Sequence, residues 1–423
     1  MLLIYLLFIS SFVLAGSDLL EKLQAIPNIE IIEIDTANHF TEAYQIMFEQ
    51  PVNHLRPNGA KFKQRIFLSH TDFDSPVVMV TEGYQANKNR HSEVTRILKS
   101  NELIVEHRYF GESAPDMIYW KYLSVEQAAA DHHRIIETFK QIYEGKWITT
   151  GVSKGGQTTL FHRAYYPNDV DVSIPYVAPL NFEQEERKIH TFLENVGTKE
   201  TRDKILEFQK CVLKNRDKIM PYFQKYCNDK NYTFKYDLDM ILEYSVFEYS
   251  FAYWQWGLVG PENIPNSDSS PEKLNDHLVT VSDPSFFDTK GMEDLSPFMY
   301  QAYTEIGFYG YDTTPFEGLL KYVDSDFATM EIFAPALGKL MFDPEPMRYV
   351  ENYLKNSSNN FLYIYGENDT WSATAVDIGD KTNAVKMVKK DGSHRTRIRS
   401  FEGGEKEKIY STLENWLDME IER

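Results

Sequence analysis

The chain has 423 residues, 42% of them hydrophobic and 25% charged, which excludes a disordered tail, a collagen and a polytopic membrane protein and leaves room for a large core. Lys and Arg number 44 against 63 Asp and Glu, a formal net charge of −19. Nucleic-acid binding needs a cationic footprint that releases counterions, so this balance argues against it, while it suits solubility and an acidic cleft for a cationic ligand such as a peptide N-terminus.

Met1 to Gly16 read MLLIYLLFISSFVLAG. The apolar run is too short to span a bilayer, and Val13 and Ala15 give the small-residue pattern of a signal-peptidase site. A signal peptide over 1–15 is expected, hence a secreted or periplasmic protein with no membrane association once it is removed. From there β-like runs alternate with helical ones. Strands are predicted at 29–34, 43–48, 62–68, 76–81, 102–106, 146–150 and 172–177. The segment Pro76-Val-Val-Met-Val-Thr81 is apolar throughout, as a strand covered on both faces must be. Residues 124–143 carry helical periodicity and open with a capping box, Ser124 with Gln127.

After about Asn181 the sequence turns helical and polar, with an aromatic cluster at Phe247-Glu-Tyr-Ser-Phe-Ala-Tyr-Trp-Gln-Trp256. β-signals return at 361–365 and 384–388, and a last helix is predicted over 405–417. The pattern reads as an α/β fold with a mostly parallel sheet, residues 16–185 and 331–423, interrupted by a helical cap over 186–330. A structureless loop of that length would be implausible. The two cysteines, Cys211 and Cys227, lie sixteen residues apart with no helpful His pair, so no metal is expected; a disulfide between them stays open.

The chemistry concentrates at Gly151-Val-Ser153-Lys154-Gly155, directly after a predicted strand and before a helical run. A serine on so tight a strand-to-helix turn must expose its Oγ, and glycines on both sides give the turn room. Serine is a weak nucleophile and needs a base held by a third group. Asp369 follows the strand at 361–365 and His394 follows the strand at 384–388, which gives the order Ser, Asp, His with intervals of 216 and 25 residues. Glu367 and Asp377 are weaker candidates for the acid. The N–H of Lys154 and an N–H of the Glu82-Gly83-Tyr84 loop are the expected oxyanion donors.

Gln50-Pro51-Val-Asn-His54, Gln64-Arg65, Glu106-His-Arg-Tyr-Phe-Gly-Glu-Ser113 and Tyr122-Leu-Ser-Val-Glu-Gln127 resemble the lysosomal Pro-Xaa carboxypeptidase and dipeptidyl-peptidase family. The likeness is closer to serine peptidase family thirty-seven, the secreted bacterial tripeptidyl aminopeptidases, because Lys154 stands where the lysosomal family usually has Tyr. It covers nearly the whole mature chain. It implies an α/β-hydrolase fold with a helical cap, no metal or other cofactor, a triad of Ser153, Asp369 and His394, and release of short peptides, tripeptides foremost, from a free N-terminus. The alternatives are carboxyl-ester hydrolysis on the same scaffold, or dipeptidyl-peptidase or Pro-Xaa carboxypeptidase specificity.

An aminopeptidase must hold the substrate's ammonium at a fixed distance from the serine, and a buried carboxylate does this best. Glu305, set among aromatics, is the first candidate anchor and Glu82 the second. Trp254, Trp256, Phe308 and Tyr309 are candidates for an apolar wall that accepts proline. Glu106 and Arg108 are expected to form a buried ion pair beneath the site.

Overall fold

The computed structural model describes residues 17–37, 39–323, 332–334, 337–338 and 340–423. The expected signal peptide, 1–15, lies outside the described residues. The described chain forms nine strands: β1 (Ile29–Glu33), β2 (Glu42–Pro51), β3 (Lys61–His70), β4 (Val77–Thr81), β5 (Asn101–Val105), β6 (Trp147–Val152), β7 (Val172–Tyr176), β8 (Asn359–Gly366) and β9 (Asn383–Lys389). Each coincides with a segment that reads as β from its residues. Thirteen α-helices accompany them: α1 (Asp18–Gln24), α2 (Glu93–Leu98), α3 (Val125–Phe139), α4 (Lys154–Tyr165), α5 (Lys188–Asn195), α6 (Lys199–Lys214), α7 (Arg216–Asp229), α8 (Leu238–Trp256), α9 (Pro271–Val281), α10 (Thr289–Asp294), α11 (Ser296–Gln301), α12 (Glu345–Asn356) and α13 (Gly403–Leu417).

The strands form one sheet in the order β1-β2-β3-β5-β4-β6-β7-β8-β9. The first three pairings are antiparallel, and every pairing from β5 onward to β9 is parallel. Side chains alternate across a strand, so a central strand needs apolar residues in unbroken sequence. In β4, Val77 and Met79 pack with Ile136 and Phe139 of α3 on one face. Val78 and Val80 pack with Val94 of α2 and Ile409 and Leu413 of α13 on the other. Strand β6 leads into α4 at the centre of the sheet, and the remaining large cluster joins α4 to the helices between β7 and β8. This is the α/β-hydrolase fold.

Two local expectations change and one open question closes. Ser124 accepts from the Gln127 N–H at the start of α3, but Gln127 does not return the bond; its Oε1 instead accepts from the backbone N–H of His54 at 2.8 Å. Glu106 and Arg108 do not pair with each other. They follow the end of β5, where the chain leaves the sheet and sends them apart: Glu106 pairs with Arg65, and Arg108 makes a bidentate pair with Asp131 of α3 at 2.6 and 2.8 Å. Cys211 and Cys227 are both free and buried.

The residues that carry the family likeness thus form a buried polar network. Gln50 donates to Gln64, and Gln64 donates to the Glu106 carbonyl. The Glu106 carboxylate accepts from Ser113 Oγ and from the Ala86 N–H. His107 N–H donates to the Tyr84 carbonyl at 3.1 Å. The network therefore braces the loop after β4, which faces the turn after β6. A buried network of this kind holds one geometry because every partner is needed by another.

Candidate active site

Ser153 sits between β6 and α4 with φ 58° and ψ −123°, a conformation that residues other than glycine rarely adopt. Holding it costs about 1–3 kcal/mol, which the surrounding packing offsets. The turn closes only because the residues two positions to either side, Gly151 and Gly155, lack side chains. A Cβ on Gly151 would stand 2.2 Å from the Gly155 carbonyl oxygen, and one on Gly155 would stand 2.5 Å from the Thr81 carbonyl oxygen. The Ser153 N–H is fixed on the Tyr176 carbonyl of β7 at 2.9 Å. As the first residue of α4, Lys154 has no intrahelical acceptor for its N–H.

Asp369 caps the short 3-10 helix Thr370–Thr374 after β8 and is fully buried. Its Oδ1 accepts from the Trp371 N–H, and its Oδ2 lies 2.8 Å from Nδ1 of His394. His394 follows β9 and is buried on all but 4% of its surface. The two loops are joined, since Asn368 N–H donates to the Gly392 carbonyl at 2.8 Å. Both are also tied to α8. His394 N–H donates to the Gln255 carbonyl at 2.8 Å, and Thr370 Oγ1 donates to the Phe251 carbonyl at 2.9 Å.

Ser153 and His394 line one cavity of about 1100 Å³. Tyr84, Lys154, Trp256, Phe308 and Tyr309 line it too, so the structure brings these expected residues together. The Trp256 ring stands edge-on to the His394 imidazole, 5.6 Å between centroids. Phe251, Phe298 and Trp371 complete an apolar wall with Phe308 and Tyr309, and Phe251 stacks on Tyr309 at 3.7 Å. Arg395, Arg397 and Arg399 line it as well.

Other expected residues lie elsewhere. Glu305 accepts from the Val125 N–H at 2.7 Å, at the start of α3, and does not line this cavity. Burial raises its pKa to about 7. Glu82 pairs with Arg90 and lines a neighbouring cavity of about 430 Å³, its pKa raised by burial against the pull of that arginine. Trp254 lines a third cavity and packs against Gly197. Gly83 packs on the turn itself; a Cβ there would meet the Lys154 Cβ at 2.6 Å.

Two features were missed by reading residues in order. Lys154 is buried, and its Nζ donates to the Gly83 carbonyl at 2.7 Å while facing the rings of Tyr84 and Phe110 at 5.5 and 5.3 Å. Burial holds its pKa well below the usual lysine value. Glu248 of α8 lines the Ser153 cavity, and its Oε2 accepts from the hydroxyls of Tyr309 and Tyr311, each at 2.8 Å. Burial raises its pKa to about 7 although both phenols pull it down. The signal for Glu248 was present as one acid inside the run Phe247–Trp256. A helix buried on every side, however, gives no periodicity from which to assign a face.

Among the described residues, no helix is long and apolar enough to cross a membrane. A family model described as PS-10 peptidase S37 matches residues 15–417 of the chain. The prolyl tri/tetrapeptidyl aminopeptidase of Streptomyces mobaraensis is 30% identical over 409 residues, covering 95% of this chain and 85% of that protein. Human lysosomal Pro-X carboxypeptidase is 28% identical over 156 residues, 32% of each chain. Prolyl carboxy peptidase like protein 5 of Caenorhabditis elegans is 29% identical over 143 residues, covering 29% of this chain and 28% of that one.

Proposed function

We propose that this chain, which belongs to the PS-10 peptidase S37 family and is a serine-type peptidase, is an exported aminopeptidase that releases tripeptides from free N-termini through Ser153, Asp369 and His394. The observation that carries the reading is the Asp369–His394 hydrogen bond of 2.8 Å, facing the same cavity as a serine held at a strained turn.

In this mechanism Asp369 fixes the imidazole with Nδ1–H toward its carboxylate, which leaves Nε2 to take the proton from Ser153 Oγ. The alkoxide attacks the peptide carbonyl. The developing oxyanion is met by the N–H of Lys154 and by one from the Gly83–Tyr84 segment, each donor contributing about 3 kcal/mol to the barrier reduction. The imidazolium then protonates the leaving amine, and water repeats the sequence on the acyl-enzyme. The apolar wall of Phe308, Tyr309 and Trp371 suits the ring of a proline before the cut. The Streptomyces relative carries prolyl tri/tetrapeptidyl specificity in its name, which supports the tripeptide reading.

Ser153→Ala is expected to lower kcat for Ala-Ala-Pro-p-nitroanilide by about 10⁴-fold or more, with the fold intact by circular dichroism. A variant that cleaves at the wild-type rate would remove Ser153 from the mechanism. Turnover of p-nitrophenyl acetate far above that of the tripeptide substrate would favour a carboxyl-ester hydrolase on this scaffold.

A further inference from the structure

The cavity is lined by two carboxylates among the described residues, Glu248 and Asp283. Asp283 is satisfied by the protein: Oδ1 accepts from the Ser285 N–H and Oδ2 from the Tyr226 hydroxyl, both at 2.7 Å. Glu248 is not. Both phenols, Tyr309 and Tyr311, donate to the same oxygen, Oε2. Its Oε1 accepts no hydrogen bond from the described residues, and no Lys or Arg among them pairs with it, although the residue is only 7% exposed. A carboxylate largely withdrawn from bulk water, with one oxygen left to face the cavity, gains strongly from a cation that reaches it there.

We propose that Glu248, held by the Tyr309 and Tyr311 hydroxyls, is the subsite that captures the ammonium of the substrate's N-terminus. This rests on the aminopeptidase reading above and names the group that sets its specificity. An ammonium has three N–H donors and no acceptor, so it can bond Oε1 directly and the phenolic oxygens beside it. Burial raises the pKa of Glu248 to about 7, and an ammonium beside it favours the charged form.

Helix α8 also fixes the spacing. Glu248 and Gln255 are seven residues apart on α8, about 10 Å along its axis. The Gln255 carbonyl holds the His394 N–H at 2.8 Å, so the far end of that interval stands beside the imidazole. An extended peptide advances about 3.3–3.6 Å per residue, and about three residues fill the interval. Glu305 and Glu82, engaged with the Val125 N–H and with Arg90, face other surroundings.

The test compares wild type, Glu248→Gln and Glu305→Gln, a buried acid outside the cavity, on free and N-acetylated Ala-Ala-Pro-p-nitroanilide. Labelling of Ser153 by a fluorophosphonate, which carries no amine, reports the nucleophile independently of the subsite. The expected result is a KM for the free peptide raised roughly tenfold or more in Glu248→Gln and unchanged within about twofold in Glu305→Gln. Wild type should cleave the acetylated peptide poorly, and Glu248→Gln should cleave it no worse than wild type. An unchanged KM in Glu248→Gln, or equal cleavage of free and acetylated peptide by wild type, overturns the subsite while leaving the serine mechanism standing. A wild-type enzyme that the fluorophosphonate does not label at Ser153 overturns the mechanism and the subsite with it. Mass spectrometry of products from longer peptides gives the second readout: tripeptides support the spacing, and single residues or long fragments overturn it.

Discussion

Lys154 carries its amino group where no carboxylate among the described residues meets it; a carbonyl and two ring faces are its surroundings. A peptide group directs its N–H opposite to its C=O. The bond from Nζ to the Gly83 carbonyl therefore turns the Tyr84 N–H to the other side of that peptide, and the residue after the nucleophile orients the loop expected to supply the second oxyanion donor. Lys154→Met is expected to lower kcat about 10- to 100-fold with KM nearly unchanged. A raised KM with kcat intact would instead place Lys154 in substrate binding. Glu305 yields a prediction of pH dependence. Its pKa of about 7 exceeds the ordinary 4.5, and the groups facing it, Asp343 and Glu126, raise it further. Below pH 4.5 folded and unfolded chains both hold the proton. As pH climbs from 4.5 to 7 the unfolded chain releases it first, so stability falls through that window and then levels. Glu305→Gln should thus gain stability over wild type by on the order of 1–2 kcal/mol at pH 8 and little at pH 4.5, a linkage value discounted for partial exposure and read by urea unfolding. Ser153, Asp369 and His394 could be placed from sequence because each sits just past the end of a strand whose apolar run is unambiguous. Glu248 could not, because its partners Tyr309 and Tyr311 arrive from 61 and 63 residues away.

The elements divide by how locally they are determined. The nine strands were readable because alternation and unbroken apolar runs are properties of five to ten neighbouring residues. The partner of a charged side chain is not, and so Glu106 and Arg108 were matched to each other rather than to Arg65 and Asp131. Asp131 shows what that non-local pairing contributes. It holds the fully buried guanidinium of Arg108 and the His54 ring at 2.7 Å, joining α3 to the end of β2. Asp131→Ala leaves Arg108 buried without its anion and is expected to cost about 3–5 kcal/mol, measured as a lowered urea midpoint with an unchanged slope. A loss under about 1 kcal/mol would mean that water or the neighbouring carbonyls suffice for Arg108.

At the scale of the molecule, the fold class followed from the alternation of strands and helices, while the run of helices between β7 and β8 was visible only as a change of texture. Its helices bury aromatic residues on every side, and the cavity walls come from parts of the chain far apart: β4's loop, α4, α8, the segment around Phe308 and the loops after β8 and β9. The formal charge of −19 belongs to the chain as a whole; three arginines line the cavity, so the local field there is not that of the average.

The loops of Asp369 and His394 each donate one hydrogen bond to a carbonyl of α8, which makes that helix part of the support of the imidazole. Displacing α8 would disturb the seat of the imidazole, so on the aminopeptidase reading proposed above the site works with that helix in place. Intact folded proteins are then expected to be trimmed more slowly than short unstructured peptides, a difference that timed digestion of the two would show.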